Sequence, residues 1–278
     1  MAEPHLDTTA YLRRLGFARR PAPTLATLRE LQLRHTSSIA FETISTLLHA
    51  PVPIDLASLQ RKVLEEGRGG YCYELNLLFL ALLQELGFDA RGLTARVVMG
   101  GPEDAMTART HMLVLATVEG HRHVADVGFG GMVPTAPLLL DEEGAQATPH
   151  EPYRIDRREG GYLLRAQVAG EWRALYAFDL QRQAHIDYEV GNWYVSTHPD
   201  SVFLGQLVAA RTGDGWRRTL RGGDFAVHRT GVATQRMQLS DADAVIAALD
   251  QEFDIRVPQA PQLRDTIERL LRADRAGK

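Results

Sequence analysis

The chain holds a single cysteine, Cys72, in the string Arg68-Gly69-Gly70-Tyr71-Cys72-Tyr73-Glu74-Leu75-Asn76. A thiol reacts as its thiolate, and that form is favoured at a helix N-terminus, where unpaired N–H groups and the helix dipole meet negative charge. Leu75, Leu78, Phe79, Leu82 and Leu86 recur at helical spacing and Gly87 stands where such a helix would stop. The spacing therefore predicts a buried helix that begins at the thiol. Two glycines before it let the chain turn sharply and approach other groups closely. Free cysteine is also a common small core residue, so its surroundings must decide between the two roles. Two later strings offer partners: Thr110-His111-Met112-Leu113-Val114 and Ala125-Asp126-Val127-Gly128-Phe129-Gly130-Gly131. Asp126 lies among apolar residues, where a carboxylate is costly unless paired.

Strand geometry joins those partners. A hairpin turning at Glu119-Gly120 through a two-residue loop pairs Val118 with His121 and sets Asp126 opposite Leu113. Side chains alternate with period two, so His111 and Asp126 share a face at a diagonal spacing of about 7–8 Å. A slip of one residue would separate them. An acid that orients an imidazole, and an imidazole that activates a thiol, make a cysteine-nucleophile triad.

The elements that must hold these residues follow from the change of hydrophobic period. The first ninety residues read as helical: Asp7 or Thr8 caps one helix, Thr24 a second, and Asp55 a third that stops at Gly67. From about residue 91, β-branched and aromatic runs predict strands over 94–99, 111–118, 123–127, 162–168 and 193–196. The tail adds strand-like pieces over 202–209 and 219–228, then a helix capped by Ser240 with Asp243 three residues on, and another over 261–272. The expectation is an α+β chain: a helical segment over 1–90, a β segment over 91–200, and a mixed α/β segment over 201–278.

Composition narrows the function classes. The 278 residues carry 35 acidic and 31 basic side chains, net −4 with neutral histidine, so no broad cationic field draws nucleic acid or an anionic membrane. No stretch reaches the roughly 20 apolar residues that cross a bilayer, and the N-terminus lacks a secretory pattern. One cysteine permits no intrachain disulfide and suits a reducing compartment, so the expected location is cytoplasmic. The ten histidines show no metal-ligand spacing with cysteine or carboxylates, and no metal is expected. Gly128-Phe129-Gly130-Gly131 follows a strand without opening a helix, so it is not a nucleotide fingerprint. Oligomeric state leaves no sequence signal.

Taken together, RGGYCYELN, THM and DVGFGG closely resemble the signature of arylamine N-acetyltransferases. His35-Thr36-Ser37-Ser38-Ile39-Ala40-Phe41-Glu42 is similar to that family's His-x-x-x-Ile-Pro-Phe-Glu segment, and Asn192-Trp193-Tyr194-Val195-Ser196-Thr197 with Ser201-Val202-Phe203 to its entry into the last lobe. The resemblance covers most of residues 5–275 and weakens after Phe203. Ala40 departs from the usual Pro and Thr43 from the usual Asn, which bears on the shape of the acceptor pocket. The absence of a long insertion near the end of the second lobe makes the chain look prokaryotic.

The resemblance implies a helical bundle, a β-barrel and an α/β lid around a Cys-His-Asp core like that of cysteine proteases. It implies ping-pong transfer of acetyl from acetyl-CoA, a co-substrate and not a resident cofactor, to an arylamine, arylhydrazine or N-hydroxyarylamine. Cys72 would be the nucleophile, His111 its base and Asp126 the orienting acid. Phe129, Phe41, Phe203 and Val98 would line the acceptor pocket, and Thr110, Gly128, Gly130 and Gly131 would meet the thioester or the pantetheine amides. Arg68 and Glu42 would form a structural ion pair. Three other readings share these residues: an amide synthase or acyltransferase using a longer acyl thioester, a Cys-His-Asp hydrolase, and an inactive binding module.

Overall fold

The structure is a computed structural model and describes residues 5–276. Its N-terminal part is helical, with local reasons for each start. Helix α1 (Thr8–Arg14) is capped by the Asp7 carboxylate on the Ala10 N–H, α2 (Leu25–Ser38) by Thr24 on the Thr27 N–H, and α4 (Leu56–Gln60) by Asp55 on the Ser58 N–H. Between α2 and α4 lie the two-residue strand β1 (Phe41–Glu42) and the short helix α3 (Ile44–Leu47). A π-helical turn, Arg61–Glu65, continues α4. Helix α5 (Cys72–Leu86) runs through the main core with Leu75, Leu78, Phe79 and Leu82 fully buried, and Gly87 closes it in the left-handed region at φ 93°.

An antiparallel seven-stranded sheet follows. Its strands are β2 (Asp89–Val97), β3 (His111–Val118), β4 (His121–Ala125), β5 (Leu138–Leu139), β6 (Tyr153–Arg158), β7 (Gly161–Val168) and β8 (Glu171–Phe178), in spatial order β5-β4-β3-β2-β8-β7-β6. Gln146 ties its two edges. The Gln146 side chain exchanges hydrogen bonds with the Leu139 backbone of β5 at 2.7 and 2.9 Å. The Gln146 backbone pairs with Tyr153 of β6 at 2.7 and 2.9 Å. The sheet is thereby a nearly closed barrel.

Helix α6 (His185–Thr197) leads to a second antiparallel sheet, formed by β9 (Val208–Gly213), β10 (Trp216–Arg221), β11 (Asp224–Arg229) and β12 (Val232–Gln238) in the order β1-β9-β10-β11-β12. Helices α7 (Ala242–Gln251) and α8 (Pro261–Ala276) supply Val245, Leu249, Leu263, Ile267 and Leu271 to a core shared with Leu220 and Leu239. The molecule is α+β.

Four sequence readings require correction. Residues 193–196 are helical: Tyr188, Asn192 and Val195 recur at the spacing of one buried helical face, which outweighs the β-branched and aromatic character of the run. The strand expected over 202–209 begins only at Val208. The piece over 219–228 is two strands, split where the chain turns at Gly222-Gly223. The cap of α7 is Asp241, whose carboxylate accepts the Ala244 N–H while Ser240 bonds that carboxylate. Strands β1, β5, β6, β8 and β12 have no counterpart in the sequence reading.

Candidate active site

Close approach of backbone to backbone places the thiol. A Cβ on Gly69 would lie 2.0 Å from the Ala40 carbonyl oxygen, and one on Gly128 would lie 2.7 Å from the Cys72 Cα. Glycine at these positions lets the turn before α5 press onto β1 and lets the segment after β4 press onto the first turn of α5. Tyr71 is extended and Cys72 is the first helical residue, so the sulfur sits at the helix start.

The β3–β4 hairpin has the expected register, with Val118 paired to His121 and Val114 to Ala125, but β4 ends at Ala125, so Asp126, expected inside a strand over 123–127, sits just past the last paired residue. His111 Nε2 donates to Asp126 Oδ2 at 2.7 Å. With Nε2 committed, Nδ1 is the nitrogen left to face Cys72, whose hydrogen bond and charge act on the ring. The Cys72 Sγ also approaches the Thr110 carbonyl oxygen at 3.5 Å. All three side chains are buried: Cys72 is 4%, His111 2% and Asp126 0% exposed. Burial alone would lower the basicity of His111, but the charge and hydrogen bond of Asp126, with the Cys72 contact, outweigh it and hold the imidazolium up to about pH 9. Burial pushes the Asp126 carboxyl up, yet His111, Asn76 and the Gly128 N–H together hold it below the usual carboxylate range.

Two residues essential to this geometry were given no role from the sequence. Asn76 lies one turn from Cys72, hence on the same face of α5. Its Nδ2 donates to Asp126 Oδ1 at 2.9 Å and to the Met112 carbonyl at 2.7 Å, while its Oδ1 accepts the Val127 N–H at 3.1 Å. One amide thus locks the helix of the thiol to the strand of the imidazole and to the carboxylate. Tyr176, on β8, donates its O–H to Asp126 Oδ2 at 2.9 Å, and its ring lies 4.7 Å from that of His111. The signal for Asn76 was an amide inside an otherwise apolar helical run; Tyr176 sat in a strand that went unread.

The remaining predicted residues divide. Phe129 packs edge-on against His111 at 4.8 Å between ring centres. Phe203 meets Phe41 at 5.9 Å and Tyr71 at 6.1 Å, and Gly130 faces the Phe41 ring, which a Cβ there would approach to 3.6 Å. Gly131 faces Thr219 of β10. Val98 is buried beyond the end of β2 with its N–H on the Leu175 carbonyl, and no ring or hydrogen-bond contact links it to the triad among the described residues. Arg68 bonds Glu42 Oε1 through Nε at 3.0 Å and through Nη2 as well.

The arrangement can accept a proton from a thiol, hold it on a buried imidazolium and return it, which is the chemistry of acyl transfer through a thioester. The N-acetyltransferase family model matches residues 24–262. An arylamine N-acetyltransferase of Mycolicibacterium smegmatis is 42% identical over 254 residues, spanning 90% of this chain and 92% of its own. The structure of the Mycobacterium marinum arylamine N-acetyltransferase superposes with a TM-score of 0.91 at 42% identity, over 95% of this chain and all of that one. The same Mycobacterium marinum protein in complex with CoA gives a TM-score of 0.90 at 42% identity, over 95% of this chain and 99% of that one. Sequence, fold and the match along most of its length agree: the chain belongs to the arylamine N-acetyltransferase family.

Proposed function

We propose that the protein moves an acetyl group from acetyl-CoA to an arylamine, arylhydrazine or N-hydroxyarylamine through a thioester on Cys72. The observation that carries this reading is His111, bonded to Asp126 at 2.7 Å on one side and facing the only thiol on the other. At rest His111 Nδ1 already holds the proton of Cys72, and in the first half-reaction the sulfur attacks the acetyl carbonyl. As the tetrahedral adduct collapses, the bond to the CoA sulfur breaks and His111 returns the proton to that sulfur. In the second half-reaction the amine nitrogen attacks the thioester, His111 takes its proton, and Cys72 leaves. Asp126 orients the ring and stabilises its charged form throughout. The relative solved with CoA supports the donor.

Phe129, Phe41 and Phe203 form an apolar, aromatic surround that suits a flat aromatic acceptor and disfavours water. Gly130 and Gly131 bring bare backbone to the same region, where N–H groups meet an acyl oxygen or a pantetheine amide. Arg68 and Glu42 brace the turn that carries the thiol. Two-substrate kinetics with acetyl-CoA and an aromatic amine test the reading. Parallel double-reciprocal lines are expected; intersecting lines, or release of acetate with no amide product, would contradict it. Competition among acetyl-, propionyl- and malonyl-CoA defines the acyl size the pocket admits.

A further inference from the structure

Glu74 is the third residue of α5, and Cys72 the first, so a carboxylate shares the helical turn whose N–H groups favour negative charge on sulfur. Glu74 is 1% exposed and cannot swing away, because its Oε2 accepts the Tyr71 N–H at 3.0 Å. That contact caps the helix, but the carboxylate itself opposes a second negative charge in the same turn. Lys62 answers it from the π-helical turn: Nζ lies 2.6 Å from Glu74 Oε1 and 3.8 Å from Glu42 Oε1. Arg68 is committed to Glu42 through two nitrogens, so Lys62 is the cation that serves Glu74. Glu42, Glu74 and Arg68 are buried and Lys62 is half-buried, and the four formal charges balance to zero.

We propose that Lys62 is a positioning residue for the thiol, cancelling the charge of Glu74 so that negative charge on Cys72 meets no bare carboxylate in its own helical turn. This rests on the reading of Cys72 as the nucleophile. The titratable groups on which Cys72 acts are His111 from β3, with Asp126 behind it, and Tyr71 and Tyr73 on its own turn. Burial drives the Glu74 carboxyl up and Lys62 holds it down, while Glu42 adds to the rise. Lys62 and Glu74 therefore act on neighbouring negative charge with opposite signs.

The test is the pH dependence of Cys72 alkylation by iodoacetamide in Lys62→Met, Glu74→Gln, their double variant and Lys62→Arg. Glutamine keeps an oxygen for the Tyr71 N–H, and arginine keeps the cation. The midpoint should rise in Lys62→Met and fall in Glu74→Gln, each by about one pH unit, or about tenfold in reactive fraction below the midpoint. It should return to the wild-type position in the double variant and in Lys62→Arg. If Lys62→Met does not fold, the fall in Glu74→Gln and its reversal in the double variant carry the test. Midpoints that stay fixed, or that move in the same direction in both single variants, overturn the proposal while wild-type acetyl uptake on Cys72 continues. Wild-type protein that takes up no acetyl from acetyl-CoA overturns both this inference and the function it rests on.

Discussion

At the scale of single residues, the proposed chemistry is concentrated in one proton and the groups that hold it. His111 keeps its proton up to about pH 9, against an ordinary value of 6.5, although it is buried. A raised value means the folded state binds the proton more tightly than the unfolded chain. The stabilisation is therefore complete below pH 6.5 and is lost as pH rises through 9. The difference in unfolding free energy between wild type and His111→Asn should accordingly shrink from pH 6.5 to pH 9.5, by at most about 3 kcal/mol. Denaturant titrations at both pH values measure it, and a constant difference would contradict the buried imidazolium. His111 and Asp126 were legible from the sequence because alternation and a two-residue turn fix which side chains share a face. Tyr176 was not, because the strand that brings its hydroxyl to Asp126 pairs across the sheet with β2, far away in sequence. Asn76 was visible as a polar residue in an apolar run, but its three partners come from β3 and the segment after β4.

At the scale of elements, the site is a meeting of α5, the β3–β4 hairpin and β1. Helix α5 was readable from spacing and its closing glycine, and the hairpin from its turn. Strand β1 was not: its two residues gain their identity only by pairing Phe41 with Ala210 and Glu42 with Ala209 of β9. Such long-range register leaves no local pattern. Helix α6 was misread because its β-prone run outweighed a short helical stripe, although the Asn192 on it is what the Tyr71 hydroxyl bonds. The ion pair of Arg68 and Glu42 ties the turn before α5 to β1, with Glu42 0% and Arg68 8% exposed at the side chain. Removing Arg68 leaves the buried Glu42 carboxylate with only the Ile44 N–H at 2.6 Å and Lys62 at 3.8 Å, a loss that costs at most about 3–5 kcal/mol. Arg68→Ala should therefore lower the thermal midpoint and the soluble yield. A variant with wild-type stability would refute a bracing role.

At the scale of the whole molecule, buried neutral histidines set a limit on acid stability. His35 is fully buried between the rings of Tyr11 and Phe79, with neither ring nitrogen hydrogen-bonded, and burial lowers its value to about 3. Burial likewise takes His150 to about 4. For a lowered value, the unfolded chain binds the proton first. Stability is therefore intact above pH 6.5 and erodes as pH falls towards 3 to 4. The loss from His35 alone amounts to several kcal/mol, a large part of the 5–15 kcal/mol that typically holds a domain folded. His35→Phe, which keeps a ring between the same neighbours, should move the acid-unfolding midpoint to lower pH by circular dichroism; an unchanged midpoint would show that His35 is not the weak point.

The claim on which all three scales converge is that Cys72 carries the acyl group. Protein incubated with acetyl-CoA, digested, and read by mass spectrometry should gain one acetyl on the peptide holding Cys72, lose it on addition of an aromatic amine, and gain none in Cys72→Ser. An acetyl group on any other residue, or amide product formed at the wild-type rate by Cys72→Ser, would contradict the account.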